Sequence, residues 1–239
     1  MPEPIYLIYL DPYHLDDLLF LPSLAQMMGR LRLRRPACLL IHGSGEQAER
    51  LLEAEGLFPE RKEGLVQVRT AAEAVLVERA ARRVNRQIVG ALTDEGVPAF
   101  GLQGLDRGLL RLSDEGRVIT GRIDWLKDLV QKQAVPVVSA LVEDARAGHA
   151  CEVHLHEVTR ALAQALHAVV VVFFTRNNQP GVLVGDTLAR ECSLDALPEA
   201  ILPEPEALRA VAHAGCSVML TSVAGLFGGD DVRGTRIVI

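Results

Sequence analysis

Ala37-Cys-Leu-Leu-Ile-His-Gly-Ser-Gly45 is the stretch that decides the fold. Ala37–Ile41 is an unbroken apolar run, which predicts a strand buried on both faces. It runs straight into His42-Gly43-Ser44-Gly45, and Glu46–Glu55 then reads as a helix. Strand, glycine-containing turn and helix in that order form the unit from which α/β folds are assembled. Gly43 and Gly45 permit close backbone approach, and the amides of such a turn suit an anion. A tight strand-to-helix turn uses the same glycines with no ligand, so both uses of His42–Gly45 stand open.

Working outward, Ile5–Leu10 reads as a buried first strand ending at Asp11-Pro12, and Leu15–Leu33 has helical spacing. Ala71–Asp94 is a long amphipathic helix, with Ala74, Val77, Ala81, Val84, Ile88 and Leu92 at three- and four-residue steps. Val97–Gly101 predicts a strand followed by the glycine-rich Gly101–Gly108. Leu109–Leu112 and Arg117–Gly121 suggest a hairpin, Trp125–Gln133 a short helix and Val135–Ser139 a strand. His156–Leu166 is read as helix, Val169–Phe174 as buried strand, Asn177–Gly181 as turn and Pro203–Ala214 as helix. Ser217–Leu220 and Arg236–Ile239 close the chain as strands. Apolar strands alternating with helices predict a mainly parallel, covered sheet. A single domain over 1–239 is expected, with an N-terminal lobe over about 1–150, a C-terminal lobe over about 151–239 and the weakest boundary at Val142–His149.

The 239 residues are 49% hydrophobic and 23% charged, which excludes a disordered chain. A net charge of −6 argues against nucleic acid as a partner, because neutralising phosphates needs a basic face; the Arg30, Arg32, Arg34, Arg35 cluster is short. No apolar run reaches the roughly 18 residues of a membrane span. Met1–Pro4 lacks the basic start of a secretory signal, and Cys38, Cys151, Cys192 and Cys216 form no CxxC pair. A cytoplasmic setting with free thiols is expected. Only Lys62, Lys127 and Lys132 are lysines, so chemistry that requires a lysine has few candidates.

Several stretches in order resemble the amino acid kinase family, in particular N-acetylglutamate kinase and its relatives acting on carrier-bound aminoadipate. Leu39–Gly45 (LLIHGSG) is similar to the family's strand and glycine-rich phosphate loop. Ala80–Leu92 followed by Gly96–Leu110 (GVPAFGLQGLDRGLL) resembles its long helix and GLxGxDG segment. Val135–Asp144 looks like the strand ending the substrate lobe, and Gly229–Ile239 like the closing Gly-Thr strand. The resemblance implies a three-layer α/β/α sandwich and ATP with Mg²⁺ as cofactors. It also implies phosphoryl transfer to a carboxylate, and a homodimer paired through Ala71–Asp94.

Residue by residue, the resemblance exposes departures. Tyr9 stands where the family's first-strand lysine belongs, and Asp11-Pro12 replaces the glycines after it, setting a carboxylate where phosphates belong and removing a backbone donor. Arg69 is the candidate for gripping a substrate carboxylate, with Gly101, Gly104 and His154 on the substrate side. Glu152-Val153-His154-Leu155-His156 replaces the Asn-x-Asn-Ala-Asp segment. The second catalytic lysine has no counterpart; Arg209 is the nearest cation. On the nucleotide side Thr175 and Gly181 match, but Arg176 replaces an aspartate. Since charge neutralisation carries phosphoryl transfer, these losses imply a degenerate homologue.

The expectation is thus a non-catalytic binding or regulatory protein of arginine or lysine metabolism. It would hold a small amino-acid-derived ligand, with a partner enzyme to modulate. An active ATP-dependent carboxylate kinase is the first alternative. The second is a metal-binding protein: were Glu152–His156 extended, Glu152, His154 and His156 would share one face as a two-histidine, one-carboxylate set.

Overall fold

The β-branched and leucine-rich runs do form the strands expected of them, at the centre of one sheet. The computed structural model describes residues 4–144, 149–167, 169–229 and 231–239. Strands β1 (Ile5–Leu10), β2 (Cys38–His42), β3 (Ala99–Gln103), β4 (Val135–Ser139), β5 (Val169–Phe174), β6 (Glu191–Ser193), β7 (Ser217–Thr221) and β8 (Thr235–Val238) lie in the order β6-β8-β7-β5-β1-β2-β4-β3. Every pairing is parallel except β7 with β8. From β1 the chain builds β2–β4 on one side and β5–β8 on the other. The order therefore reverses beside β1, and in open α/β sheets ligands bind at such a point, outside the carboxyl ends of the strands.

Period-two alternation sorts β1 into two cores. Leu7 and Tyr9 face helices α5 (Asp124–Gln131), α6 (Leu155–Leu166) and α7 (Pro205–His213). Ile8 and Leu10 face α2 (Phe20–Leu31), α4 (Ala71–Asp94) and α8 (Val223–Phe227). This is the three-layer sandwich, with the sheet buried on both faces. Helix α3 (Gln47–Ala54) packs on α4 through a smaller apolar cluster. Among the described residues all four cysteines are free thiols, and no helix is long and apolar enough to cross a membrane.

Helix α4 has the bounds its periodicity predicts, and Thr70 caps it by accepting from the Glu73 amide. The helix expected over Leu15–Leu33 is instead broken into α1 (Pro12–Asp16) and α2. The cause is local: Asp17 Oδ1 accepts from the Leu19 amide at 2.9 Å, a side-chain bond that competes with the helix. The stretch expected as the weakest boundary between lobes is flanked by strands. Leu141–Asp144 and His149–Glu152 pair as antiparallel strands in a small second sheet with Leu110–Leu112 and Val118–Thr120, and residues 145–148 between them lie outside the described residues. A hairpin of Arg61–Lys62 with Leu65–Val66, and another of Leu183–Val184 with Thr187–Leu188, carry no hydrophobic alternation that would have announced them.

Candidate functional site

At the carboxyl edge of the sheet, four chain segments enclose a cavity of about 780 Å³. The end of β1 contributes Tyr9 and Pro12, and the turn after β2 contributes Gly43, Ser44 and Gly45. The start of α6 contributes His154 and His156, and the start of α7 contributes Glu204 and Glu206. The Arg61–Val66 hairpin forms the mouth.

Tyr9 is buried, and its ring stacks on Phe173 with centroids 4.6 Å apart. Its hydroxyl donates to Glu204 Oε2 at 2.5 Å, tying the end of β1 to the start of α7. Burial first, and then the neighbouring Glu204 carboxylate, push the Tyr9 phenol well above its ordinary value. Burial likewise raises Glu204, opposed by the hydrogen bond from Tyr9. Tyr9 therefore supplies a neutral hydrogen-bonding group at the end of β1.

Asp11 was expected to set a negative charge beside the phosphates. Its carboxylate does not line the cavity but caps α1, accepting from the His14 amide at 2.9 Å and facing His14 Nδ1 at 2.7 Å, while its charge still raises Tyr9 and Glu204 in the cavity wall. His14 Nε2 faces the Thr175 carbonyl at 3.2 Å. The segment after β1 is a capped helix start with its carboxylate buried inside the fold.

The turn after β2 is held from beneath. His42 is fully buried, its Nδ1 donating to Gly43 O at 2.9 Å and its Nε2 accepting from Asn85 Nδ2 at 2.9 Å. Burial lowers His42 to about 4, so at neutral pH it is an uncharged prop and not an anion-binding cation. Above the turn lies Glu152, whose Oε1 accepts from the Ser44 amide and whose Oε2 accepts from Ser44 Oγ at 2.6 Å. Burial raises the Glu152 carboxyl, while the two bonds from Ser44 and the Arg61 charge pull the other way.

The metal set expected at Glu152, His154 and His156 does not form. The extended stretch it required ends at Glu152; His154 sits at the N-cap position of α6 without a capping hydrogen bond, and His156 lies in the helix's first turn. Glu152 is engaged by Ser44, and the two imidazoles stack on each other with centroids 5.1 Å apart. Burial, then the His154 charge, lower His156. Among the described residues no three His, Cys, Asp or Glu side chains come together as a metal-holding group.

Other expected site residues are placed elsewhere. Arg69 is exposed, lies outside the cavity and pairs with Glu60 at 3.2 Å. Arg209 also lies outside it, held by Glu199 and by Glu206 at 2.8 Å. Gly101 and Gly104 serve packing: a Cβ at 101 would meet Asn85 Oδ1 at 2.0 Å, and one at 104 would meet the Leu141 carbonyl at 2.2 Å. Thr175 Oγ1 donates to Gln179 O at 2.7 Å, and Gly181 packs on Thr235; neither lines the cavity. Arg176, in place of the family's aspartate, donates to Leu202 O at 2.8 Å and lies over the Tyr13 ring.

The cavity residue that sequence reading missed is Arg61. Its Nε donates to Glu49 at 2.5 Å, its Nη1 to Gly64 O at 2.7 Å and its Nη2 to Gly45 O at 3.2 Å. The available signal was slight: Glu63-Gly64, both at positive φ, is the two-residue turn that folds the hairpin back over the glycine turn. Glu204 also went unread, because Pro205 marks a helix start without showing which way the preceding side chain points.

With this geometry in view, likeness to known proteins is informative. The model of the amino acid kinase family matches residues 15–222. The chain belongs to that family. An acetylglutamate kinase from Chloroflexus aurantiacus is 32% identical, with 97% of this chain and 96% of that protein covered. One from Roseiflexus castenholzii is also 32% identical, over 79% of this chain and 74% of that one. An isopentenyl phosphate kinase structure superposes with a TM-score of 0.66 at 20% identity, covering 98% of this chain, which speaks to the fold. The cavity between the first two strands and the starts of α6 and α7 thus lies in a chain of the amino acid kinase family.

Proposed function

We propose that this chain is a non-catalytic, small-ligand-binding member of the amino acid kinase family, related to acetylglutamate kinase and acting in amino-acid metabolism. The charge balance of the cavity supports this reading best. Glu63, Glu152, Glu157, Glu204 and Glu206 line it; Arg61 is the one guanidinium among the lining residues, Arg209 pairs with Glu206 from outside, and burial raises Glu152 and Glu204. Arg61 already has its donors on Glu49, Gly64 and Gly45. None of the three lysines lines the cavity. ATP and a carboxylate substrate would bring several negative charges into this acidic space, where no lysine lines the cavity and the Ser44 amide of the turn is already given to Glu152. The residues present do not fit MgATP. They suit a small amino-acid derivative bearing positive charge, whose binding would be signalled to a partner enzyme.

The near-full-length identity with acetylglutamate kinases supports one rival, an active ATP-dependent carboxylate kinase. Hydroxamate trapping with MgATP and acetylglutamate or aminoadipate separates the two. The expected result is no acyl phosphate above a heat-killed control. Thermal shifts are expected with arginine or lysine and not with MgATP or acetylglutamate. Steady turnover with either acid would replace this reading with the kinase.

A further inference from the structure

The Gly43–Gly45 turn has the form of an oxyanion cradle, and it already holds an oxyanion. Its ligand is a side chain of the same molecule: Glu152 accepts from both the amide and the hydroxyl of Ser44. Gly43 leaves the room for this, since a Cβ there would stand 2.9 Å from Glu152 Oε1. The backbone holds cradle and carboxylate in register through one residue. Ala140 donates its amide to His42 O at 2.8 Å and accepts from the Val153 amide at 3.0 Å, so the residues flanking the turn and flanking Glu152 share an anchor. A carboxylate delivered this way has a high effective concentration against any diffusing anion.

We propose that Glu152 is a built-in anion that closes the Gly43–Gly45 cradle to phosphate and carboxylate ligands, making it the residue that sets the charge selectivity of the cavity. An incoming anion meets a negative charge at the donors it needs. Removing that charge leaves the Ser44 amide and hydroxyl facing open space, with Arg61 on the Gly45 carbonyl beside them.

The test uses inorganic phosphate as the probe and the full chain with Glu152→Gln, which keeps the shape, and Glu152→Ala, which empties the position. Phosphate affinity is read by calorimetry and thermal shift. The wild type should show no saturable response at millimolar phosphate, and at least one variant should gain about tenfold or more, equivalent to about 1.4 kcal/mol. Adding Ser44→Ala to that variant should abolish the gain. An equal phosphate response in the wild type, no gain in either folded variant, or a gain that survives Ser44→Ala overturns the proposal. Failure of both variants to fold overturns it as well, since Glu152 would then be a structural anchor. This inference and the functional reading fail separately: turnover by the wild type counts against the latter, whereas phosphate affinities alone decide the former.

Discussion

His42 shows at the residue scale how a group that resembles a ligand contact acts as support. It is fully buried, with Gly43 O on one ring nitrogen and Asn85 on the other, and its pKa falls from 6.5 to about 4. Between those values the unfolded chain takes up a proton that the native chain refuses. His42's contribution to stability is therefore complete above about pH 6.5 and is lost as pH falls toward 4, by about 2–3 kcal/mol. Urea unfolding at neutral pH and near the lower value should register that loss, and His42→Asn should flatten the pH dependence. An unchanged slope in the variant would place the acid sensitivity on another group. The residue types around the cavity were legible in the sequence, because Tyr9, the glycines and the histidines fall at strand ends and turns that the apolar runs delimit. Their partners were not: Tyr9 with Glu204 is a contact across 195 positions of chain, and nothing near either residue announces it.

At the scale of elements, the short α1 depends on its cap. Asp11 holds the His14 amide and the His14 ring at once, and the helix has only five residues over which to recover a lost bond. Asp11→Ala should cost about 2 kcal/mol, combining the lost cap with a buried ring nitrogen left unpaired. Chemical denaturation would measure it, and a change below about 0.5 kcal/mol would mean that water replaces the carboxylate. Long, strongly periodic elements such as α4, and the apolar β4 and β5, matched their sequence signals because burial along their whole length writes the pattern. The break between α1 and α2, the Arg61–Val66 hairpin and the short edge strand β6 did not. Each rests on a few hydrogen bonds, and too few buried side chains are involved to leave a period.

At the scale of the whole molecule, the resemblance implies a homodimer through α4, and the outer face of that helix constrains how it would form. Arg79, Arg82, Arg83 and Arg86 are exposed there, and Arg82 is paired to Glu78 at 2.7 Å. Two copies joined along this face bring arginines together, a repulsion that salt screens within about 10 Å at 0.1 M. Self-association through α4 is therefore expected to strengthen as salt rises, and Arg83→Glu to lessen that dependence. Sedimentation of both proteins across a salt series would check this; association that weakens with salt, or that ignores the substitution, would move the interface elsewhere.

Hydrophobic periodicity and the glycine-containing turns by themselves determined a mainly parallel, covered α/β sheet, because each strand and helix must match its pattern to the layer that buries it; the three layers and the family followed from the resemblance of its motifs. The same reading singled out Tyr9, Asp11, Glu152 and Arg176, since residue identity is visible without coordinates. Only the tertiary structure decided what those side chains touch. It turned Asp11 inward, drew Glu152 into the glycine cradle, set Glu204 against Tyr9 and closed the mouth with Arg61. Those pairings join segments far apart in the chain, and side-chain direction at a site is set by the packing of whole elements, which no local pattern records.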